Sequence, residues 1–332
     1  MTRNPLTDFI EKGYLGSFEQ AKMMSSTGFQ FMRAFTMPRA MVRLFELNYP
    51  ALKERIISGR SPWSSNIDYT KPDLDLELKY QGERPKPSSE RYLRPTWGVD
   101  PTAPEILALA KKLGAGEKSK RAFAEDAFAH VKNRIKFAME WPTGGAVATL
   151  KAGAATCLHK LSVLIALLRS NGIPARYRLV GAQIVKQLYD LQGVGADPLG
   201  AAIYDSVGYV FGHGCVELLL DGQWLPGDVT FEEELEVAMD VPITRLGMDP
   251  EGVWYFTVPG MVLRVEGLPV YMDGVSLLFP MYRGMMDKIN ENFEKARKLG
   301  RERLQAIGRE RYIEMKKKFY VPVLPPSVKR RE

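Results

Sequence analysis

A chain of 332 residues exceeds what one small core organises, which predicts a large domain with appendages or two domains. With 45% hydrophobic and 26% charged residues it has neither the polar excess of a disordered protein nor the apolar blocks of a membrane one, and no run approaches the roughly 20 residues needed to span a bilayer. Two cysteines, Cys157 and Cys215, are too few for a disulfide framework and suit a reducing compartment or a catalytic thiol; with no continuous apolar signal region in residues 1–20, a cytoplasmic protein is expected. The net charge of +7 is unevenly spread. Residues 283–332 hold 15 Lys or Arg against 7 Asp or Glu, while the preceding 282 hold 31 against 32, so polyanion binding by the whole surface is not indicated.

Residues 1–60 place aromatic and aliphatic side chains at helical spacings, among them Phe9, Ile10, Tyr14, Phe18, Phe31, Met32 and Phe35, and read as a helical extension of two or three packed helices. Residues 61–100 turn to Pro, Ser and charge without periodicity, a connector. A body over residues 101–282 begins with a helix start around Pro104, followed by Ile106, Leu107 and Leu109; residues 123–137 read as a second core-facing helix. After Cys157, Leu158, Leu161, Ile165 and Leu168 recur at helical spacing until Asn171-Gly172 and Ile173-Pro174 end the helix. Residues 176–184 and 209–220 read as strands, with a long Gly-containing loop over residues 186–206 between them. Asp221-Gly222 predicts a tight hairpin into Gln223-Trp224-Leu225. Two short strands follow at residues 253–258 and 261–265. Residues 283–332 form a basic helical tail, with Ile289, Phe293, Ala296, Leu304 and Ile307 on one stripe and Gly300 and Gly308 as weak points. The stripe is expected to pack on the body or on a second subunit as a homo-oligomer. The basic face is read as solvated, in preference to an anionic-surface binder, and the tail as an appendage to catalysis.

A cysteine at a helix N-terminus lies at the positive end of the helix dipole, which stabilises a thiolate, and an imidazole beside it can take its proton if an acceptor orients the other ring nitrogen. If Asp221-Gly222 is a two-residue turn, Cys215 faces Asp228, and His213, two residues from Cys215 on the same strand face, has Asp228 as a diagonal neighbour. A bulge at Pro226-Gly227 is the feature able to shift that register. Cys157, His213 and Asp228 are therefore the candidate nucleophile, base and orienting group. Glu217 shares the face of His213 and reads as a supporting or ion-paired residue, Cys215 as a small apolar filler beside the triad, and Trp141 as a packing residue or a cleft wall near the oxyanion. His159, two positions past the cysteine, points away from it and reads as structural. Cys157, His159, His213 and Cys215 contain the donor set of a zinc site, but one intervening residue on a helix turns two side chains apart, so no metal is expected. No Gly-rich phosphate loop appears, and no cofactor is expected.

The run Cys157-Leu158-His159-Lys160, the segment Asn171-Gly172-Ile173-Pro174-Ala175-Arg176, and the later His213-Gly214-Cys215-Val216-Glu217 and Trp224-Leu225-Pro226-Gly227-Asp228-Val229-Thr230 resemble, in the same chain order, the cysteine, histidine and aspartate elements of the transglutaminase-like superfamily. The resemblance covers residues 123–232. It implies an α+β, papain-like core, with a nucleophile helix packed on an antiparallel sheet, and a Cys157, His213, Asp228 triad working through a thioester acyl-enzyme. Thr156 before the cysteine and Cys215 in a place where the family often has an aromatic residue are departures that bear on the oxyanion site and the cleft wall. The implied activity is cysteine-dependent acyl transfer from a peptide, protein or small amide donor to water, as a peptidase or amidase, with amide formation on an amine acceptor as the alternative. A non-catalytic interaction scaffold on the same fold is the competing class.

Overall fold

The computed structural model describes residues 38–69, 80, 82–191, 210–268 and 279–324. Helices in chain order are α1 (Pro38–Ser58), α2 (Pro104–Lys112), α3 (Lys120–Arg134), α4 (Gly145–Ala152), α5 (Cys157–Ser170), α6 (Lys186–Leu191), α7 (Glu233–Ala238), α8 (Phe279–Ile307) and α9 (Arg309–Phe319). Strands are β1 (Lys136–Phe137), β2 (Ala154–Ala155), β3 (Ala175–Ile184), β4 (Val210–Leu220), β5 (Gln223–Gly227) and β6 (Tyr255–Val265). The expected helices within residues 1–37 lie outside the described residues.

The α+β architecture rests on a four-stranded antiparallel sheet in the order β5-β4-β3-β6. One face, with Tyr177, Leu179, Val216 and Leu218, packs on α5, whose residues 158–169 are all buried, as suits a helix enclosed on every side. The opposite face, with Val180 and Cys215, meets a second core that includes Phe137, Phe231, Trp254 and Phe293 of α8. Alternation along the strands separates the two cores, and Cys157 touches both. α5 stops at Gly172, whose φ of +67° is the left-handed conformation; Gly172 N–H donates to Arg169 O (3.1 Å) and Ile173 N–H to Leu168 O (3.0 Å), satisfying two terminal carbonyls.

Several expectations are corrected. Phe137 leaves the helix, which ends at Arg134, and enters a short parallel pairing with Ala155. The loop expected over residues 186–206 starts as α6, and its remainder from 192 lies outside the described residues. The two strands expected after residue 253 are one, β6, because Pro259 and Gly260 sit in a bulge: Ala182 pairs with Thr257 and Val180 with Val262, so the ladder skips the residue that has no N–H to give. Gly300 is no weak point; a Cβ there would lie 1.8 Å from Glu234 O, so the glycine lets α7 approach the unbroken α8. The break comes at Gly308.

The tail is not an appendage to the fold. Phe293 and Ala296 are buried as the stripe predicts, but basic residues are buried too: Arg283 pairs with Glu140 (3.1 Å) and Asp287 (2.9 Å), and Arg297 with Glu232 (3.2 Å) and the Phe137 carbonyl. The connector is tied in as well, through Arg94 and Glu266 (2.9 Å) and through Asn66, which donates to Glu291 (3.0 Å).

Candidate active site

Cys157 is the first residue of α5, with Thr156 as its N-cap. Thr156 does not cap with its side chain; its hydroxyl lies 3.0 Å from His159 Nδ1 instead, while its N–H donates to Glu140 O (3.1 Å). The opening N–H groups of the helix have no intrahelical acceptor, and the thiol is held beside them. Cys157 is half-buried, whereas Cys215 is fully buried.

Gly214 brings this helix end against β4. A Cβ there would stand 2.6 Å from Leu158 Cδ2 and 2.8 Å from Leu161 Cδ1, so any side chain at this position would have to displace both buried leucines. The neighbouring His213 is thereby carried close enough to Cys157 for the two side chains to interact. His213 Nε2 lies 2.9 Å from Asp228 Oδ2, which leaves Nδ1 as the ring nitrogen for the thiol. The hairpin makes this possible: Asp221 and Gly222 have φ of +51° and +76°, as a type I′ turn requires, and Leu220 pairs with Gln223 and Val216 with Gly227. Pro226-Gly227 does not shift the register, and Asp228 follows directly on the last paired residue.

Asp228 is 2% exposed and His213 4%. Burial pushes the Asp228 carboxyl up, but the His213 charge and the hydrogen bonds from His213 and Thr230 outweigh it and hold the acid below its ordinary 3.8. Thr230 N–H donates to Oδ1 at 2.7 Å. Burial pushes His213 down, yet Asp228 leads the groups that raise it, and the balance lies well above 6.5. The arrangement is an imidazolium held by a buried carboxylate, able to exchange a proton with the thiol.

The other residues singled out from sequence fall as follows. Cys215 is more than filler: its Sγ lies 3.6 Å from His213 Nε2, 3.7 Å from Asp228 Oδ2 and 3.2 Å from Tyr255 Oη, and burial raises its thiol. Glu217 is drawn away, accepting from Arg176 (2.8 Å) and Arg264 (3.0 Å). Trp141 packs its ring edge-on to His159, 4.4 Å between centroids, and with Trp63, Tyr69 and Glu140 lines a cavity of about 530 Å³. Burial pushes His159 down to about 4, so it is neutral; turned to Thr156 and Trp141, it does not join the four-donor set weighed as a zinc site.

Three site residues escaped the sequence reading. Trp254 lies edge-on to His213 (4.5 Å) and Tyr255 is tilted beside it (5.0 Å); both fall in a run that reads only as a strand. Tyr255 Oη accepts from Arg178 (3.2 Å), which also grips both oxygens of Asp249. Lys160, one helical turn after Cys157, donates to Thr230 O and Lys132 O (3.0 Å each) and fixes the backbone behind Asp228; burial lowers it to about 7. A lysine between Leu158 and Leu161 in an otherwise apolar helix was the available signal.

Residues 107–229, about a third of the chain, match the family model described as the transglutaminase-like superfamily. The matched segment contains Cys157, His213 and Asp228 and ends before Trp254, Tyr255 and α8. That family is generally enzymatic, and the observed sheet and helix agree with its papain-like core. No curated protein and no solved structure matches the chain.

Proposed function

We propose that the protein is a cysteine-dependent acyl-transfer enzyme acting on amide bonds through a thioester, with water as the favoured acceptor. The observation that carries the reading is the buried His213–Asp228 pair, 2.9 Å from Nε2 to the carboxylate, set beside Cys157 at the N-terminus of α5. The proton of the Cys157 thiol passes to His213 before the attack, and Cys157 Sγ adds to the carbonyl carbon as the thiolate beside the imidazolium. The tetrahedral oxyanion meets the N–H of Cys157, which the uncapped N-terminus of α5 leaves without a helical acceptor. His213 then gives its proton to the departing amine, the C–N bond breaks, and the thioester remains. Water attacks next, with His213 again the base, to release the acid and free thiol. An amine at that step would form a new amide, the alternative outcome; water is favoured because solvent is the default acceptor unless a site excludes it. Asp228 keeps the ring in its productive tautomer throughout.

The test is intact-mass spectrometry after brief exposure to a peptide and amide library, with products analysed with and without a primary amine. The reading predicts an acyl adduct mapping to Cys157 and absent from Cys157→Ala. No adduct, and no Cys157-dependent product of either kind, would leave the interaction-scaffold reading.

A further inference from the structure

We propose that His213, Cys215 and Asp228 form an inhibitory binding site for Zn²⁺ or a similar thiophilic divalent cation, built into the acid–base pair by the second cysteine. Among the described residues these three offer one ligand atom each, all within 4.8 Å of one another. The separations are 2.9 Å for nitrogen to carboxylate oxygen, 3.6 Å for sulfur to nitrogen and 3.7 Å for sulfur to oxygen. Zinc bonds of about 2.0 Å to N or O and 2.3 Å to S at a tetrahedral angle require edges of roughly 3.3 to 3.6 Å, so adjustments of a few tenths of an ångström suffice. The set is one thiolate, one imidazole and one carboxylate, the softness zinc favours over magnesium or calcium. Outer contacts that a metal site needs are in place: Thr230 N–H fixes the second oxygen of Asp228 at 2.7 Å, and Tyr255 Oη stands 3.2 Å from the Cys215 sulfur.

Charge also balances. Without metal the site holds an imidazolium, a carboxylate and a thiol, net zero. Zn²⁺ replaces the proton shared by His213 and Asp228 and the thiol proton of Cys215, releasing two protons and leaving cation, thiolate, carboxylate and neutral imidazole, again net zero in a buried place. The site exists independently of the acyl-transfer reading. Its consequence rests on that reading, because the ion takes His213 Nε2 away from Asp228.

The experiment uses the full chain and two readouts. Co²⁺ as a spectroscopic stand-in should produce a thiolate-to-metal charge-transfer band, and Zn²⁺ titrated against a chromogenic chelator should bind at one per chain while Mg²⁺ does not. Cys157→Ala should keep both signals. Cys215→Ala should lose the band and weaken zinc binding by at least the roughly 10–100-fold that loss of an outer-shell partner costs, with Cys215→Ser as a second variant should the alanine form fail to fold. Zn²⁺ should slow iodoacetamide labelling of Cys157 in the unmodified chain and spare Cys215→Ala. Binding that survives loss of Cys215 but not of Cys157 would place the ion on the nucleophile and overturn the proposal, as would the absence of stoichiometric binding. Neither result would bear on whether Cys157 forms a thioester.

Discussion

Asp228 stays ionised in a place where burial alone would neutralise it, and the partner that keeps it so is His213. The two groups therefore share a stability window. A lowered acid contributes stability above its unfolded 3.8 and loses it as pH falls through the folded value; a raised histidine contributes fully below its unfolded 6.5 and loses it as pH rises through the folded value. Both contributions are complete between those limits. Thermal melts of the unmodified protein and of Asp228→Asn should differ most at about pH 4 to 6.5 and converge on either side, while a difference independent of pH would mean that the pair carries no charge. Turnover should fall about 10²–10⁴-fold in His213→Ala, as expected when a general base is lost. These residues were legible because Asp-Gly fixes a register and alternation fixes a face. Trp254 and Tyr255 were not, since nothing in a strand pattern says which neighbouring ring it will reach.

At the scale of elements, the site depends on how closely α5 rides on β4. Gly214 is the residue that sets this distance, and Gly214→Ala should cost about 1–3 kcal/mol in urea unfolding through overpacking against Leu158 and Leu161. It should also slow Cys157 labelling, because the helix end and the histidine strand are forced apart; unchanged labelling with reduced stability would assign Gly214 to packing alone. The helix stop at Gly172 and the hairpin at Gly222 were readable because each needs a positive φ that few residues accept. β6 was misread for the converse reason. Pro259-Gly260 is ordinary strand punctuation, and only the tertiary pairing of Val180 and Ala182, on either side of Gly181, shows that the chain bulges and continues.

Across the whole molecule, the transglutaminase-like segment is completed by elements on either side of it. α8 closes the second core over Phe137 and Phe231, and its Arg297 reaches the buried Glu232 just beyond the aspartate strand. Charge counting along the sequence concealed this, since a buried arginine and a solvated one contribute alike. Arg297→Ala should cost about 3–5 kcal/mol by leaving Glu232 buried without its cation, and removal of residues 283–332 should abolish a cooperative unfolding transition. A truncated chain that melts cooperatively near the intact temperature would restore the tail to an appendage. The most direct test of the account is timed iodoacetamide labelling of the intact folded chain near pH 6 to 7, with peptide mapping of the two cysteines. Cys157, half-buried and beside His213, should label well before the fully buried Cys215 and lose most of that advantage in His213→Ala; equal, slow labelling of both thiols, indifferent to His213, would contradict the assignment of Cys157 as the nucleophile.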